Sequence, residues 1–600
     1  MDPLESSTIF EREQFLSANS TFIDEENEDK DDNNSNSDSL SSDEKGFLPG
    51  IIEDEDEDED DFIVISGGDE KESSCGITGL EGIIEKIGYG KFQKRLLGLC
   101  GFGWLADNLW FQAISIILPR IQIHFQVSNS ILGLLPSAII LGMMFGAIFW
   151  GVFSDTFGRK QAFNWTLILT AFFGLISSLS QNFWQLCSAM FLLGTGVGGN
   201  LPVDGAIFLE FVPKNQQYLL TFMSIFWSFG AVISSVIAYF ILPSNSCPKT
   251  SNPPCDVYTH NNGWRYLLAI CGLLTLFMLI CRILFFGLKE SPKFLIARNR
   301  KNEAVDILSE IARINGSEVT INVSDLTISN LDRSDRRHDY PFSYNNFFSE
   351  PITFFKKNIR YFILELRPLF SPKWIRTTLL VWSFWALNSL AYNMFSTFLP
   401  QFLEFQEMKN EFKSNLDVGG SNFSTVSNVS DINNNINNFG NEDVDISNII
   451  RQVLKEFIIF SAWGIPGSLI GTYLIETSLG RIYTMSLGAF GSALSVFLFT
   501  IFNSRIGTVT CNILLSVLVT IEYAVIYGYT AEVFETKVRG TANGFASACA
   551  RITGMLGPVI AGNLIAISNT LPLYVSSVLF VLVGICMILL PIETRGRQAL

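Results

Sequence analysis

Several ionisable side chains stand inside long apolar runs, where charge is costly. Asp107 lies twelve residues beyond Arg95 with no charge between them, which at ~1.5 Å per helical residue is a depth of ~18 Å. Glu522 precedes Glu532 by ten residues, or ~15 Å on the same rise. Arg551 follows Arg539 by twelve, and Asp204 stands six before Glu210, nearer the end of its run. A carboxylate at such depth is retained where it binds a proton or a cation, because an isolated charge in hydrocarbon is expensive. Asp107 has no partner on its own helix and is read as that proton-linked or cation-binding group. Glu522 is either free for the same work or tied to Arg551 in an internal salt bridge, and the sequence leaves both open. Arg282 is shallow enough to snorkel to the surface and is read as structural.

Aromatic and amide side chains in the same runs complete a candidate solute pocket: Trp110, Asn200, Trp385, Asn388, Tyr392, Tyr523 and Tyr527. Spacings of three and four place Trp385, Asn388 and Tyr392 on one helix face. Each aromatic taken singly could equally pack against a neighbouring helix. Together with two deep carboxylates they suit an organic, partly apolar solute, an organic cation or another metabolite.

A second set of charges lies at the ends of the runs and repeats. Gly158-Arg159 and Gly480-Arg481 are 322 residues apart, as are Glu210 and Glu532. Glu290 and Glu593 form a third echo at the shorter offset of 303. The fuller form, Gly151, Asp155, Gly158, Arg159 and Lys160, sets a carboxylate and two cations at adjacent helix ends, and Arg539 closes the second copy. Such groups can pair across two halves as a gate and cap helix termini. Plain anchoring by positive charge is the alternative, but it leaves Asp155 and the glycines unexplained.

These positions require helices that cross a membrane. The chain of 600 residues is 48% hydrophobic and holds 52 phenylalanines, and its mean hydropathy is +0.30. Roughly 20 apolar residues cross ~30 Å of hydrocarbon, and twelve such runs occur near 96–118, 131–153, 163–181, 185–208, 219–242, 267–288, 377–402, 457–477, 482–502, 508–530, 541–567 and 571–591. With the internal echo, they predict an all-α membrane protein of twelve transmembrane helices in two pseudo-symmetric six-helix halves, 96–288 and 377–591. Residues 80–95, which mix isoleucines with Lys86, Lys91, Lys94 and Arg95, read as an interfacial segment on an anionic leaflet. Residues 289–376 read as a cytoplasmic linker with amphipathic segments, about 403–456 as an Asn-rich loop on the opposite side, and 592–600 as a cytoplasmic end.

The net charge of −17 is local. Met1 to Glu72 holds 26 acidic and 4 basic residues, including nine consecutive acids from Glu53 to Asp61, so the remainder carries 32 acidic against 37 basic. A disordered acidic cytoplasmic tail over 1–79 is expected, and no basic stripe supports nucleic-acid binding. Arg159, Lys160, Lys214, Lys289, Lys293, Arg481, Lys537 and Arg539 all fall on one side, which places both termini in the cytoplasm. Cys247 and Cys255 then share an outer loop as a candidate disulfide. The sequons at Asn422 and Asn428 fall on that side as candidate glycosylation sites. There is no HExxH or CxxC pattern and there are only three histidines, so neither a metal site nor a cofactor is expected. No constellation suggests an enzyme.

These motifs resemble the major facilitator superfamily. Gly151 to Lys160 is similar to its loop motif, with Thr156 where an arginine is usual. Gly263-Trp264-Arg265, Glu290-Ser291-Pro292 and Glu593-Thr594-Arg595-Gly596 are similar to the sugar-porter and organic-ion branches, as is Tyr527 to Val533 with Arg539, although Glu535 replaces a proline. Gly88 to Gln93, Trp104 to Asp107, Gly198 to Asp204 and Leu369 to Pro372 resemble synaptic vesicle glycoprotein 2-related transporters and their fungal relatives. The resemblance implies a cavity lined by the first, fourth, seventh and tenth helices. It also implies a monomeric secondary transporter of a small organic solute, working by alternating access with protons as a possible second cargo. The seventh span lacks the glutamine pair that sugar porters use on hexoses, which argues against hexose. A non-transporting receptor, sensor or vesicle component of the same fold is the alternative.

Overall fold

The computed structural model describes residues 79–216, 219–247, 255–326, 367–419, 446–475, 477–502, 504–534 and 536–594. The acidic tail through Glu72, the sequons Asn422 and Asn428 and the side chain of Arg539 lie outside the described residues. A short helix α1 (Leu80–Ile87) precedes α2 (Lys91–Phe125), α3 (Leu134–Phe157), α4 (Arg159–Ser178), α5 (Phe183–Phe211), α6 (Ile225–Ile241) and α7 (Gly263–Cys281). After the linker helix α8 (Lys301–Asn315) come α9 (Ile375–Gly419), α10 (Ile446–Leu474), α11 (Gly480–Ile501), α12 (Arg505–Val533), α13 (Thr536–Ile567) and α14 (Leu571–Ile588). Among the described residues, α2–α7 and α9–α14 are the twelve long helices anticipated from the apolar runs.

The duplication is visible in the packing. In the first half α2 packs on α6, α3 on α5, and α4 on both α5 and α7; in the second, α9 packs on α13, α10 on α12, and α11 on both α12 and α14. Each of these pairings in one half has its counterpart in the other. The halves meet where α6 lies on α10, α3 on α13 and α2 on α9. That exchange-symmetric contact belongs to two equivalent bundles facing each other.

Local chemistry fixes the helix ends. Asn182 opens α5 by accepting from the Gln185 N–H at 2.8 Å, and Ser504 opens α12 by accepting from Gly507 at 3.1 Å, each satisfying a donor the helix cannot. Gly158 (φ 108) and Gly480 (φ 67) turn the chain tightly between antiparallel neighbours, a backbone region that side chains with a Cβ avoid.

Four boundaries differ from expectation. The seventh span does not stop near 402: α9 continues to Gly419, with Phe402, Leu403 and Glu404 buried. Likewise α10 starts at Ile446 and buries Ile449, Ile450, Val453 and Leu454. The expected loop over 403–456 is therefore helical at both ends, because each end carries an apolar face that finds a neighbour. The fifth span is interrupted, with Leu219–Phe222 separated from α6. Residues 80–95 are not a free interfacial segment either. Residues from Lys91 on already belong to α2, while Ile83 and Ile87 of α1 join Phe92 in a cluster with Leu308 and Ile311 of the amphipathic α8. Burial against protein satisfies the isoleucines that the sequence reading gave to lipid.

Candidate substrate and coupling site

Midway along α2, Asp107 is 1% exposed. Asn200 on α5 donates from Nδ2 to Asp107 Oδ1 at 2.7 Å, while Asp107 Oδ2 and Asn200 Oδ1 are buried without a hydrogen-bond partner. From the other half, Tyr527 of α12 and Arg551 of α13 lie within electrostatic reach of the same carboxylate. Arg551 itself donates from Nη1 to the carbonyl of Met143 on α3 at 2.5 Å, crossing between halves. A carboxylate from one half thus shares its surroundings with a guanidinium from the other.

Aromatics extend from Tyr527, and amides stand on the neighbouring helices. Trp385 on α9 meets Tyr527 edge to face at 4.9 Å between centroids and donates to Thr530 Oγ1 at 3.0 Å. Tyr392 meets Tyr523 at 5.7 Å in the same manner. Both side-chain polar atoms of Asn388 are buried without a partner, so this amide has its full hydrogen-bonding capacity to offer. Gln112 reaches Ser461 of α10 at 3.4 Å.

Other anticipated members are engaged elsewhere, although Asp204 and Arg282 also lie within electrostatic reach of Asp107. Trp110 donates to Thr275 at 3.1 Å and is fully buried within the first half, so it packs helices instead of lining the pocket. Asp204 is bound at 2.7 Å to Arg282, and both side chains are 0% exposed. Arg282 does not snorkel: it also donates to the carbonyls of Phe163 at 2.6 Å and Leu99 at 3.2 Å, and its guanidinium covers the Phe163 ring at 3.6 Å. The Asp204–Arg282 pair joins α5 to the short helical segment that follows α7. Glu522 is not tied to Arg551. Its two oxygens are buried without hydrogen-bond partners, and its Cβ lies where a Cβ on Gly488 of α11 would sit 3.0 Å away. It therefore packs toward α11.

At the other level, the duplicated charges build two copies of one device. Arg159 pairs with Asp155 at 2.5 Å and with Glu210 at 3.2 Å; Arg481 pairs with Glu532 at 2.5 Å. Glu290 accepts the backbone N–H of Arg159 at 2.7 Å and of Lys160 at 3.3 Å, and Glu593 accepts those of Arg481 and Ile482 at 3.0 Å each. Each carboxylate caps the positive end of α4 or α11. Every bond described for these two networks stays within its own half. Where the motif usually has an arginine, Arg298 from the linker donates to the carbonyl of Thr156 at 2.9 Å.

Sequence reasoning missed an ion pair that does cross. Arg120 of α2 and Glu404 of α9 form an ion pair with side-chain exposures of 3% and 11%. Arg120 also donates to the Cys247 carbonyl at 3.2 Å, and Asn261 donates to the Arg120 carbonyl at 2.9 Å. The loop fixing Arg120 is closed by the Cys247–Cys255 disulfide, as anticipated. Asp256 in that loop is held below the usual carboxylate range by the Thr259 hydroxyl and the Tyr258 N–H. The signal was available: Arg120 and Glu404 stand opposite each other, two residues past the ends assigned to their spans.

Two duplicated six-helix bundles, closed against each other at one end and enclosing charged and aromatic groups at mid-depth, define an integral multi-pass membrane carrier. The sequence pattern of the Major Facilitator Superfamily matches residues 101–426 and 456–599, and the chain belongs to that family. An uncharacterized MFS-type transporter of Schizosaccharomyces pombe is 33% identical over 87% of this chain and 88% of its own length. Organic cation/carnitine transporter 7 of Arabidopsis thaliana is 26% identical over 85% and 94%, and a synaptic vesicle 2-related protein of Xenopus laevis 26% over 86% and 81%. The partially occluded inward-open xylose transporter XylE from E. coli superposes with a TM-score of 0.59 at 14% identity, covering 84% of this chain and 99% of that one; at that identity the likeness concerns the fold.

Proposed function

We propose that the protein is a proton-coupled secondary transporter of a small organic solute, an organic cation or other metabolite, working by alternating access as a monomer. The observation that carries the reading is the buried Asp107, bonded to Asn200 in one half and facing Tyr527 and Arg551 of the other. A proton or a cationic solute on Asp107 changes its attraction to Arg551, and with it the balance between the two arrangements of the halves. Asn388, Tyr392 and Tyr523 offer amide and aromatic contacts for an organic body, and the Arabidopsis relative named for organic cations and carnitine supports that class. Both termini and the Arg159 and Arg481 networks are assigned to the cytoplasm by positive charge, with the disulfide and Asn422 and Asn428 outside. Cysteine labelling at position 422 from the cytoplasmic side would overturn that orientation.

The test is uptake by purified protein in liposomes against a panel of organic cations and carboxylates, with and without an inward proton gradient. Asp107→Asn keeps size and hydrogen bonding but removes titration, so it is expected to abolish gradient-driven uptake while preserving expression. Unchanged gradient-driven uptake in this variant would remove Asp107 from coupling.

A further inference from the structure

We infer that the protein holds one monoanionic phospholipid in a cleft between the start of α2, the chain following α7 and the linker helix α8. The cleft has a cavity volume of about 70 Å³ and is lined by Phe92 and Arg95 of α2, Lys289, and Ile307, Glu310 and Ile314 of α8. Lys289 and Glu310 pair at 3.2 Å. Arg95 is exposed and has no ion-pair or hydrogen-bond partner among the described residues. Two cations and one carboxylate leave one positive charge, which matches a single phosphodiester. The rest of the lining is isoleucine and phenylalanine.

Depth supplies the second argument. Phe277, Ile280 and Leu284 are 59%, 42% and 74% exposed, and their spacing of three and four residues makes one outward stripe down α7 and the turn after it. In a membrane protein such a stripe faces acyl chains. It ends just before Gly287, where the backbone turns at φ 48, and Lys289 follows. The charged cleft therefore lies where hydrocarbon gives way to the phosphate layer, and a lipid whose chains run along that stripe presents its phosphate to Arg95. The α8 wall turns a bare basic edge into a cleft, giving the linker a ligand-holding role that its amphipathic packing alone does not require. The inference needs the bundle to sit in a bilayer and does not depend on transport or on which side is cytoplasmic.

Native mass spectrometry of the full-length protein, released from detergent with equal phosphatidylglycerol and phosphatidylcholine of matched chains, reads the site directly. Wild type is expected to retain phosphatidylglycerol preferentially. Arg95→Gln is expected to lower that preference about fivefold, the worth of one cation at a membrane surface (about 1 kcal/mol). Arg95→Lys, which keeps the charge, is expected to retain it, as is Arg313→Gln on α8 outside the cleft. An equal preference in wild type and Arg95→Gln would overturn the site. Loss of the lipid adduct to equimolar inorganic phosphate would overturn the lipid as its occupant in favour of a free anion.

Discussion

The two ends of the bundle use ion pairs in opposite ways. At the end carrying Arg159 and Arg481, every described pair of the repeated motif closes within one half, Arg159 with Glu210 and Arg481 with Glu532. At the disulfide end, Arg120 and Glu404 bind one half to the other. Gln401 adds a second crossing by donating to Asn129 at 3.2 Å, and Ser137 a third by donating to the Met555 carbonyl at 2.6 Å. Contacts internal to a half survive any movement between halves and set the shape of the moving bodies. On the proposed alternating-access reading, contacts that close one end between halves exist in one arrangement and break in the other. On that reading the difference separates the charges that make the bundles rigid from those that choose between states.

The largest effect is expected where a pair of the first kind is deepest. Arg282→Met removes the guanidinium and leaves Asp204 fully buried and unpaired, and breaking a buried pair on one side costs about 3–5 kcal/mol. Loss of monodisperse protein on size exclusion, or a large fall in the thermal midpoint in detergent, is expected in this variant. A midpoint within a degree or two of wild type would remove the pair from the rigid frame. Because the pair closes within a half, the variant should fail as a folded body and not merely change its state.

Most of this frame was legible. Uncharged runs of about 20 residues announce spans, and the offset of 322 between Arg159 and Arg481 and between Glu210 and Glu532 announces the duplication. Side chains whose meaning depends on a distant partner were not legible. Arg120 and Glu404 fall two residues beyond their apolar windows and so drew no reading, yet they are buried as a pair. Arg282 looked shallow by counting residues, but the chain after α7 turns it inward onto Asp204. Glu522 and Arg551 share a depth without sharing a direction, since depth comes from the helical rise and direction from packing.

The cross-half latch predicts an intermediate effect of a different kind. Glu404→Gln removes the charge that Arg120 meets only when the disulfide end is closed, so it penalises that state and spares the other. A cysteine placed by Ser137→Cys, now buried against Met555, is expected to react with a membrane-impermeant maleimide at least about tenfold faster in this background, the equivalent of ~1.4 kcal/mol of population shift. Unchanged labelling alongside an unchanged thermal midpoint would mean that Arg120–Glu404 sets no state, and the contrast between the two ends would lose its basis.

The smallest effect tests whether the duplicated caps are equivalent. Glu290→Gln keeps an oxygen that can accept from both backbone N–H groups, whereas Glu593→Gln keeps only one of the two oxygens that take Arg481 and Ile482; both remove the charge facing the start of α4 or α11. The charge–dipole part of each cap is about 0.3–1 kcal/mol, and Glu593→Gln loses one accepted hydrogen bond besides. The two lie in separate halves and share no described partner, so the double variant should lower the thermal midpoint by the sum of the single effects. Neither should alter labelling at Ser137→Cys, because no described bond of either carboxylate crosses between halves. Two outcomes would break the comparison drawn above: a double variant far less stable than the sum, which would mean the motif end is coupled across the halves after all, or a labelling change in either single variant, which would make the caps part of the gate.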